Sequence, residues 1–178
     1  MIGVLVSGTG TNLQALLDAG LPVVAVASNR RTAPALARAA GLATAAFELS
    51  DYEDRAARDA AMAEWLDAHG VRLVVLAGYM HLLTSAFLDR FPDAVVNVHP
   101  SLLPAFPGAH AVEAQLEAGV AETGATVHLV DDGVDSGPIL AQERLPVLAG
   151  DTPATLHARI KELEHRLLPR VVGELCAR

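Results

Sequence analysis

Short apolar runs bounded by glycine or polar turns alternate along this chain with stretches whose apolar residues recur at helical spacing. Runs of that kind read as buried strands, and three-to-four-residue spacing reads as helix. Ile2 to Ser7, Val23 to Ala27, Ala43 to Phe47 and Arg72 to Ala77 are predicted as the first four strands. Between them fall a short helix around Leu13 to Leu17 ending near Gly20, a helix entered through Thr32 and Pro34 and ending at Gly41, and a long helix to His69. Ser50 with Glu53 three residues on has the spacing of a capping box opening that long helix, and its many charges read as a solvated face. Strand, helix, strand is the rhythm of a parallel sheet. A short helix from Thr84 to Arg90 leads into a fifth strand that begins near Ala94. After it come a helix from about His110 to Ala118, a strand from Ala125 to Val130 and a returning strand from Ile139 to Val147, whose short connection predicts an antiparallel edge. Asp151 or Thr152 caps a last helix with Pro153 in its first turn. Leu156, Ile160, Leu163 and Leu167 mark its buried face, Glu164 lies beside them, and Pro169 is expected to kink or interrupt it. The expected fold is a three-layer α/β arrangement around a mostly parallel open sheet with an antiparallel edge near the C-terminus.

The fifth strand departs from the pattern. Asn97 and His99 put two polar side chains into a β-branched run, and side chains two apart on a strand point the same way, roughly 6 to 7 Å apart. Pro100 cannot donate to a ladder, so the strand should stop there with His99 at its carboxyl end, the edge where open parallel sheets bind ligands. By themselves these two residues read first as buried polar groups satisfied by backbone. Pro100, Pro104 and Pro107 should stiffen the loop that follows, up to Gly108.

Composition narrows the function classes. The chain has 178 residues, room for one domain of ordinary size, and its 52% apolar residues are spread without any run approaching the roughly 20 uncharged residues of a membrane span. The run from Met1 has no basic flank or small-residue cleavage site, so a cytoplasmic location is expected. A net charge of -8 argues against a nucleic-acid surface. The single cysteine, Cys176, excludes a disulfide framework and is expected to pack in a helix. An anionic ligand in so acidic a protein needs local devices, and Gly8-Thr9-Gly10-Thr11-Asn12 between a strand and a helix start is one. Leu13 stands where a dinucleotide fingerprint has its third glycine, so the loop suits one phosphate better than a pyrophosphate, or is a plain tight turn. Arg30 and Arg31 after the second strand keep an NADP 2'-phosphate in view. Gly78 to Leu83 is a mixed apolar loop that alone reads as core, although such a loop also suits a flat aromatic ligand. No residues have zinc or iron spacing. What remains is His99 with an amide beside it, His128, and the aspartates of the turn 131–138, a combination suited to acyl transfer through an oxyanion.

Gly8 to Asn12 with Leu13-Gln14-Ala15, Leu76-Ala77-Gly78-Tyr79-Met80, Asn97-Val98-His99-Pro100-Ser101-Leu102-Leu103-Pro104 and Asp135-Ser136-Gly137-Pro138 together resemble the glycinamide ribonucleotide formyltransferase family over nearly the whole chain. That resemblance implies a Rossmann-like formyltransferase fold in a single domain over 1–178, with the N-terminal half binding the phosphate and ribonucleotide and the C-terminal half the folate. It implies formyl transfer from 10-formyltetrahydrofolate, without a metal, to the amine of glycinamide ribonucleotide. Asn97, His99 and Asp135 would be catalytic. Gly10, Thr11 and Asn12 would hold the substrate phosphate, with Pro100 and Gly108 also on the substrate and Glu164 on the ribose hydroxyls. Met80, His81, Leu82 and Leu83 with Val130, Asp131 and Asp135 would take the pterin. Thr11 replaces a usual Ser, His81 a usual Arg, and Ser136 a usual Gly, so a charged folate contact at position 81 is not carried over. A monomer or homodimer without nucleic-acid or membrane partners is expected. The related formyltetrahydrofolate hydrolase is the first alternative, with an NADP-dependent reductase and a non-catalytic nucleotide-binding module beyond it.

Overall fold

Strand β1, Ile2–Val6, is buried at every residue, as a strand with neighbours on both edges and cover on both faces must be. It pairs in parallel with β2, Val23–Ser28, and with β4, Leu73–Leu76, while β2 pairs in parallel with β3, Ala43–Ala46. The computed structural model describes residues 1–177. The remaining strands are β5, Val95–His99, β6, Glu122–Leu129, and β7, Ile139–Pro146. The seven strands run in the order β3-β2-β1-β4-β5-β6-β7. The expected mostly parallel sheet with an antiparallel edge is therefore present. Contacts gather into two compact units, Met1–Val96 and the chain from Asn97 onward, with the boundary inside β5.

In the first unit the helices are α1, Thr11–Asp18, α2, Ala35–Arg38, α3, Arg55–Ala68, and α4, Ser85–Leu88. Three expectations change there. The second helix is only four residues long, because the side chains it and its flanks bury, Ala33, Ala35 and Ala39, are too small for packing to sustain further turns. Ser50 does not cap α3. Residues Leu49–Asp51 form a short 3₁₀ turn, and Tyr52 is drawn back onto Phe47, with ring centroids 6.4 Å apart, so the helix starts later. Asp54 caps it instead, accepting from the Ala57 amide at 2.8 Å, a role in which Asp is as good as Ser. The third change concerns the charges of α3 and belongs to the site below.

The second unit contains α5, Ala111–Glu117, and α6, Pro153–Cys176. β6 and β7 form the antiparallel hairpin, in register from Glu122 opposite Pro146 to His128 opposite Ile139, with an irregularity between Val127 and His128. Thr152 caps α6 in a reciprocal box with Thr155. Leu156, Ile160, Leu163 and Leu167 are all buried, as their spacing predicts. Pro169 does not interrupt this helix, which runs on to Cys176. Leu167, Leu168, Val171 and Val172 are buried on both sides of the proline, and that apolar burial offsets one missing N–H bond. Cys176 is exposed rather than packed, since it lies beyond the last buried turn.

Candidate active site

β5 delivers Asn97 and His99 to one side, and in the second unit both reach the carboxylate of Asp135. Asn97 Nδ2 lies 3.3 Å from Asp135 Oδ1, and His99 Nδ1 lies 3.2 Å from Oδ2. Two further donors converge on it. The Gly108 amide donates to Oδ2 at 2.8 Å, and His128 Nε2 is 3.4 Å from Oδ1. Asp135 makes this approach from a left-handed backbone with φ 50°, a conformation Asp tolerates better than most residues and one that bends the acidic turn back over the strand end. Burial by itself would raise the Asp135 pKa, but the His128 hydrogen bond, the Gly108 amide and the nearby His99 and His128 rings outweigh it and hold it at about 2.

The histidines are fixed from behind. His99 is buried, and its Nε2 donates to the Phe106 carbonyl at 2.7 Å. Both of its ring nitrogens thus face oxygens that only accept. His128 Nδ1 donates to the Leu129 carbonyl at 2.7 Å, which turns Nε2 toward Asp135 and toward Asn97 Nδ2 at 3.3 Å. With His128 Nε2 directed at Asp135, the Asn97 amide keeps one hydrogen toward Asp135 at 3.3 Å and has the other to offer an incoming oxygen.

More than prolines holds the loop 100–108. Thr126 Oγ1 donates to the Ser101 carbonyl at 2.7 Å and accepts from the Leu103 amide at 3.1 Å. Gln142 donates to the Leu103 carbonyl at 2.7 Å, Gln115 to the Pro100 carbonyl at 2.9 Å, and Ser101 Oγ to the Ala105 carbonyl at 2.6 Å. These bonds place the Phe106 carbonyl and the Gly108 amide where His99 and Asp135 meet them. Thr126 was signalled by sharing a strand face with His128, whereas Gln115 and Gln142 left no mark in the sequence.

The remaining predicted residues are distributed as follows. In the first unit Gly10 is the N-cap of α1 at φ 74°, and no side chain caps that helix start, so its amides are uncovered by any acidic group of the first turn. Asn12 is buried and Thr11 half-buried. A side chain at position 10 is excluded by the packing alone, since a Cβ there would stand 2.6 Å from Ala35 Cβ. Gly10→Ala is therefore expected to lower the thermal midpoint by several degrees. A variant of unchanged midpoint would show that the backbone and Ala35 give way to the added methyl without cost. The loop 79–83 is not core throughout, because Tyr79 and Leu83 point in while Met80 and Leu82 are 74% and 53% exposed. Arg31 is engaged with Glu48 and Asp51, at 2.7 and 2.5 Å, which removes one support for an NADP site. In the second unit Val130 and Asp131 lie half-buried at the start of the acidic turn, where Ser136 Oγ donates to Asp131 Oδ1 at 2.8 Å, so the usual glycine is replaced by a residue that ties the turn. Glu164 is buried on α6.

Sequence reasoning missed one cluster. Arg58 and Asp59, read as part of a solvated face, are fully buried and paired at 2.6 Å. Arg58 also meets His81 Nδ1 at 2.6 Å. An adjacent Arg-Asp pair in a charged helix carries no pattern that separates it from its exposed neighbours.

Residues 1–172 match the Formyl transferase family, and the chain belongs to it. The chain is 49% identical to the phosphoribosylglycinamide formyltransferase of Mycobacterium tuberculosis H37Rv, over 97% of this chain and 83% of that one, and 41% identical to the Escherichia coli K12 enzyme of the same name, over 97% and 85%. It superposes on the crystal structure of glycinamide ribonucleotide transformylase 1 from Symbiobacterium toebii with a TM-score of 0.94 and 49% identity, over 96% of this chain and 84% of that one.

Proposed function

We infer that this chain is an enzyme that transfers the formyl group of 10-formyltetrahydrofolate to the amine of glycinamide ribonucleotide, in de novo purine biosynthesis. The observation that carries the reading is the convergence of Asn97, His99, His128 and the Gly108 amide on the one carboxylate of Asp135. The substrate amine attacks the formyl carbon, a C–N bond forms, and charge grows on the formyl oxygen. The Asn97 amide and the His99 ring stabilise that oxygen as it gains charge. Asp135 keeps the ring oriented and, through a water, receives the proton that the amine sheds. Breaking the bond to N10 of the folate, which takes up a proton, completes the exchange and releases tetrahydrofolate.

In this reading Gly10, Thr11 and Asn12 take the phosphate, Pro100, Gly108 and Glu164 the rest of the ribonucleotide, and Met80, Leu82 and Leu83 with Val130, Asp131 and Asp135 the pterin, while His81, expected from the resemblance to join them, turns its ring inward to Arg58 and Asn29 instead. We read the 178 residues as one formyltransferase domain, working in the cytoplasm as a monomer or homodimer on small molecules alone, without nucleic-acid or membrane partners; the acidic charge balance supports this. Among the described residues no helix is long and apolar enough to cross a membrane and no group of His, Cys, Asp and Glu could hold a metal. The test is an assay with both substrates, following folate absorbance with and without the ribonucleotide. Transfer that depends on the ribonucleotide is expected, and turnover without it identifies a hydrolase.

The Asp135 carboxylate also links the site to pH. Its pKa is about 2 in the folded chain against an ordinary 3.8, so its contribution to stability is complete above about pH 4 and is lost as pH falls toward 2. The thermal midpoint is expected to fall more steeply between pH 4 and 2 in the unaltered chain than in Asp135→Asn, and parallel curves would refute the linkage.

A further inference from the structure

His81 stands where the resembling family has an Arg, and its side chain is committed to the protein interior. Nδ1 meets Arg58 Nη1 at 2.6 Å, and Nε2 meets the Asn29 amide at 3.1 Å. A guanidinium only donates, so Nδ1 must accept and the ring hydrogen sits on Nε2; a half-turn of the Asn29 amide then sets its oxygen against Nε2 and its NH2 against Ser7 Oγ, so that each donor meets an acceptor. The Asn29 amide lies 2.7 Å from Ser7 Oγ, and Ser7 Oγ receives the Met80 amide at 2.9 Å. A closed ring of hydrogen bonds thus joins Met80 and His81 through the ends of β1 and β2.

The same loop is fastened at two more points. Arg55 donates to the Leu82 carbonyl at 2.6 Å, and the Thr84 amide donates to Asp59 Oδ2 at 2.8 Å. Asp59 Oδ1 is taken by Nε and Nη2 of Arg58 at 2.9 and 2.6 Å. The groups facing His81 are therefore two cations, Arg58 and Arg55, one anion already paired, the ring of Tyr79 with its centroid 5.9 Å away, and the neutral Ser7 and Asn29. Burial first, then Arg58 and Arg55, hold its pKa below the usual histidine value.

We propose that His81 is a neutral positioning residue that fixes the loop 80–84 against buried Arg58, so that the exposed side chains of Met80 and Leu82 present a preformed apolar face to the flat ring of the formyl donor. The proposal rests on the functional reading above. Four fastened backbone or side-chain points in five residues leave little to order when the ligand arrives, and affinity gained that way is lost when the fastening goes.

The test compares His81→Phe, which keeps the ring and removes the acceptor for Arg58, with His81→Gln, which restores an acceptor. His81→Phe is expected to raise KM for 10-formyltetrahydrofolate about tenfold, the size of one buried hydrogen bond left unmade, with kcat and KM for glycinamide ribonucleotide within about twofold. His81→Gln is expected to stay near the unaltered chain. Between pH 7 and 5 the KM for the folate should rise in the unaltered chain, as protonation sets the ring against Arg58, and stay flatter in His81→Gln. Imidazole nitrogen chemical shifts in the free protein should show the neutral ring with hydrogen on Nε2 at pH 7. An imidazolium or an Nδ1–H ring at that pH, a folate KM unmoved in His81→Phe, an equal rise in both KM values, or a His81→Gln variant as weak as His81→Phe overturns the proposal. Those results in a chain that still transfers formyl leave the functional reading standing, whereas an unaltered chain without transfer overturns that reading and this proposal with it.

Discussion

Asp135→Asn is expected to lower kcat by at least ~10²-fold while circular dichroism stays native, because the substitution removes the charge that gathers the site and little else. Asn keeps the size of the side chain and tolerates the left-handed φ of 50° that the turn imposes, so misfolding is not the default outcome. What changes is the partner of His99. With a carboxylate 3.2 Å from Nδ1 and a carbonyl 2.7 Å from Nε2, the ring is held and aimed. With an amide in place of the carboxylate, that hold is weakened, and the carboxylate charge that the other polar groups of the site face is gone. His99→Ala should be at least as damaging. Near-normal turnover in either variant, measured at saturating concentrations of both substrates, would sink the mechanism.

The second large effect is on stability. Asp59→Ala leaves the Arg58 guanidinium fully buried without its carboxylate, and breaking a buried pair from one side costs about 3–5 kcal/mol. His81 cannot compensate, since a neutral ring supplies an acceptor but no charge. For a chain of this length that corresponds to a fall in Tm on the order of 10 °C. The double variant Arg58→Met with Asp59→Leu should recover most of the loss, because apolar side chains leave no orphaned charge. A Tm drop of less than about 2 °C in Asp59→Ala would show that water reaches the pair.

Legibility differed between elements for physical reasons. Strand and helix positions followed from hydrophobic period, and every strand was placed to within a few residues, because burial on one face or two imposes a repeat that any chain must show. The capping of α3 was misplaced, since Ser50 and Asp54 are both good caps and the choice fell to the packing of Tyr52 on Phe47, two residues brought close only in the folded chain. Pro169 was overrated as a breaker because a local rule about one lost bond cannot weigh the buried leucines and valines around it. Cys176 was expected to pack, and whether a late helical residue does so depends on what lies opposite.

The sequence by itself determined the strand with two polar residues at its carboxyl end, the proline that stops it, the acidic turn and the glycine loop between a strand and a helix start, because these are local patterns with local causes. It also carried enough motif order to mark the family. Only the tertiary structure decided that Asp135 receives four donors at once, that Thr126, Gln115 and Gln142 hold the loop that supplies one of them, and that Arg58 with Asp59 lies buried beneath His81. Those arrangements join residues far apart in the chain, and the free energy of a buried charge depends on every group around it, which no spacing along the sequence can express.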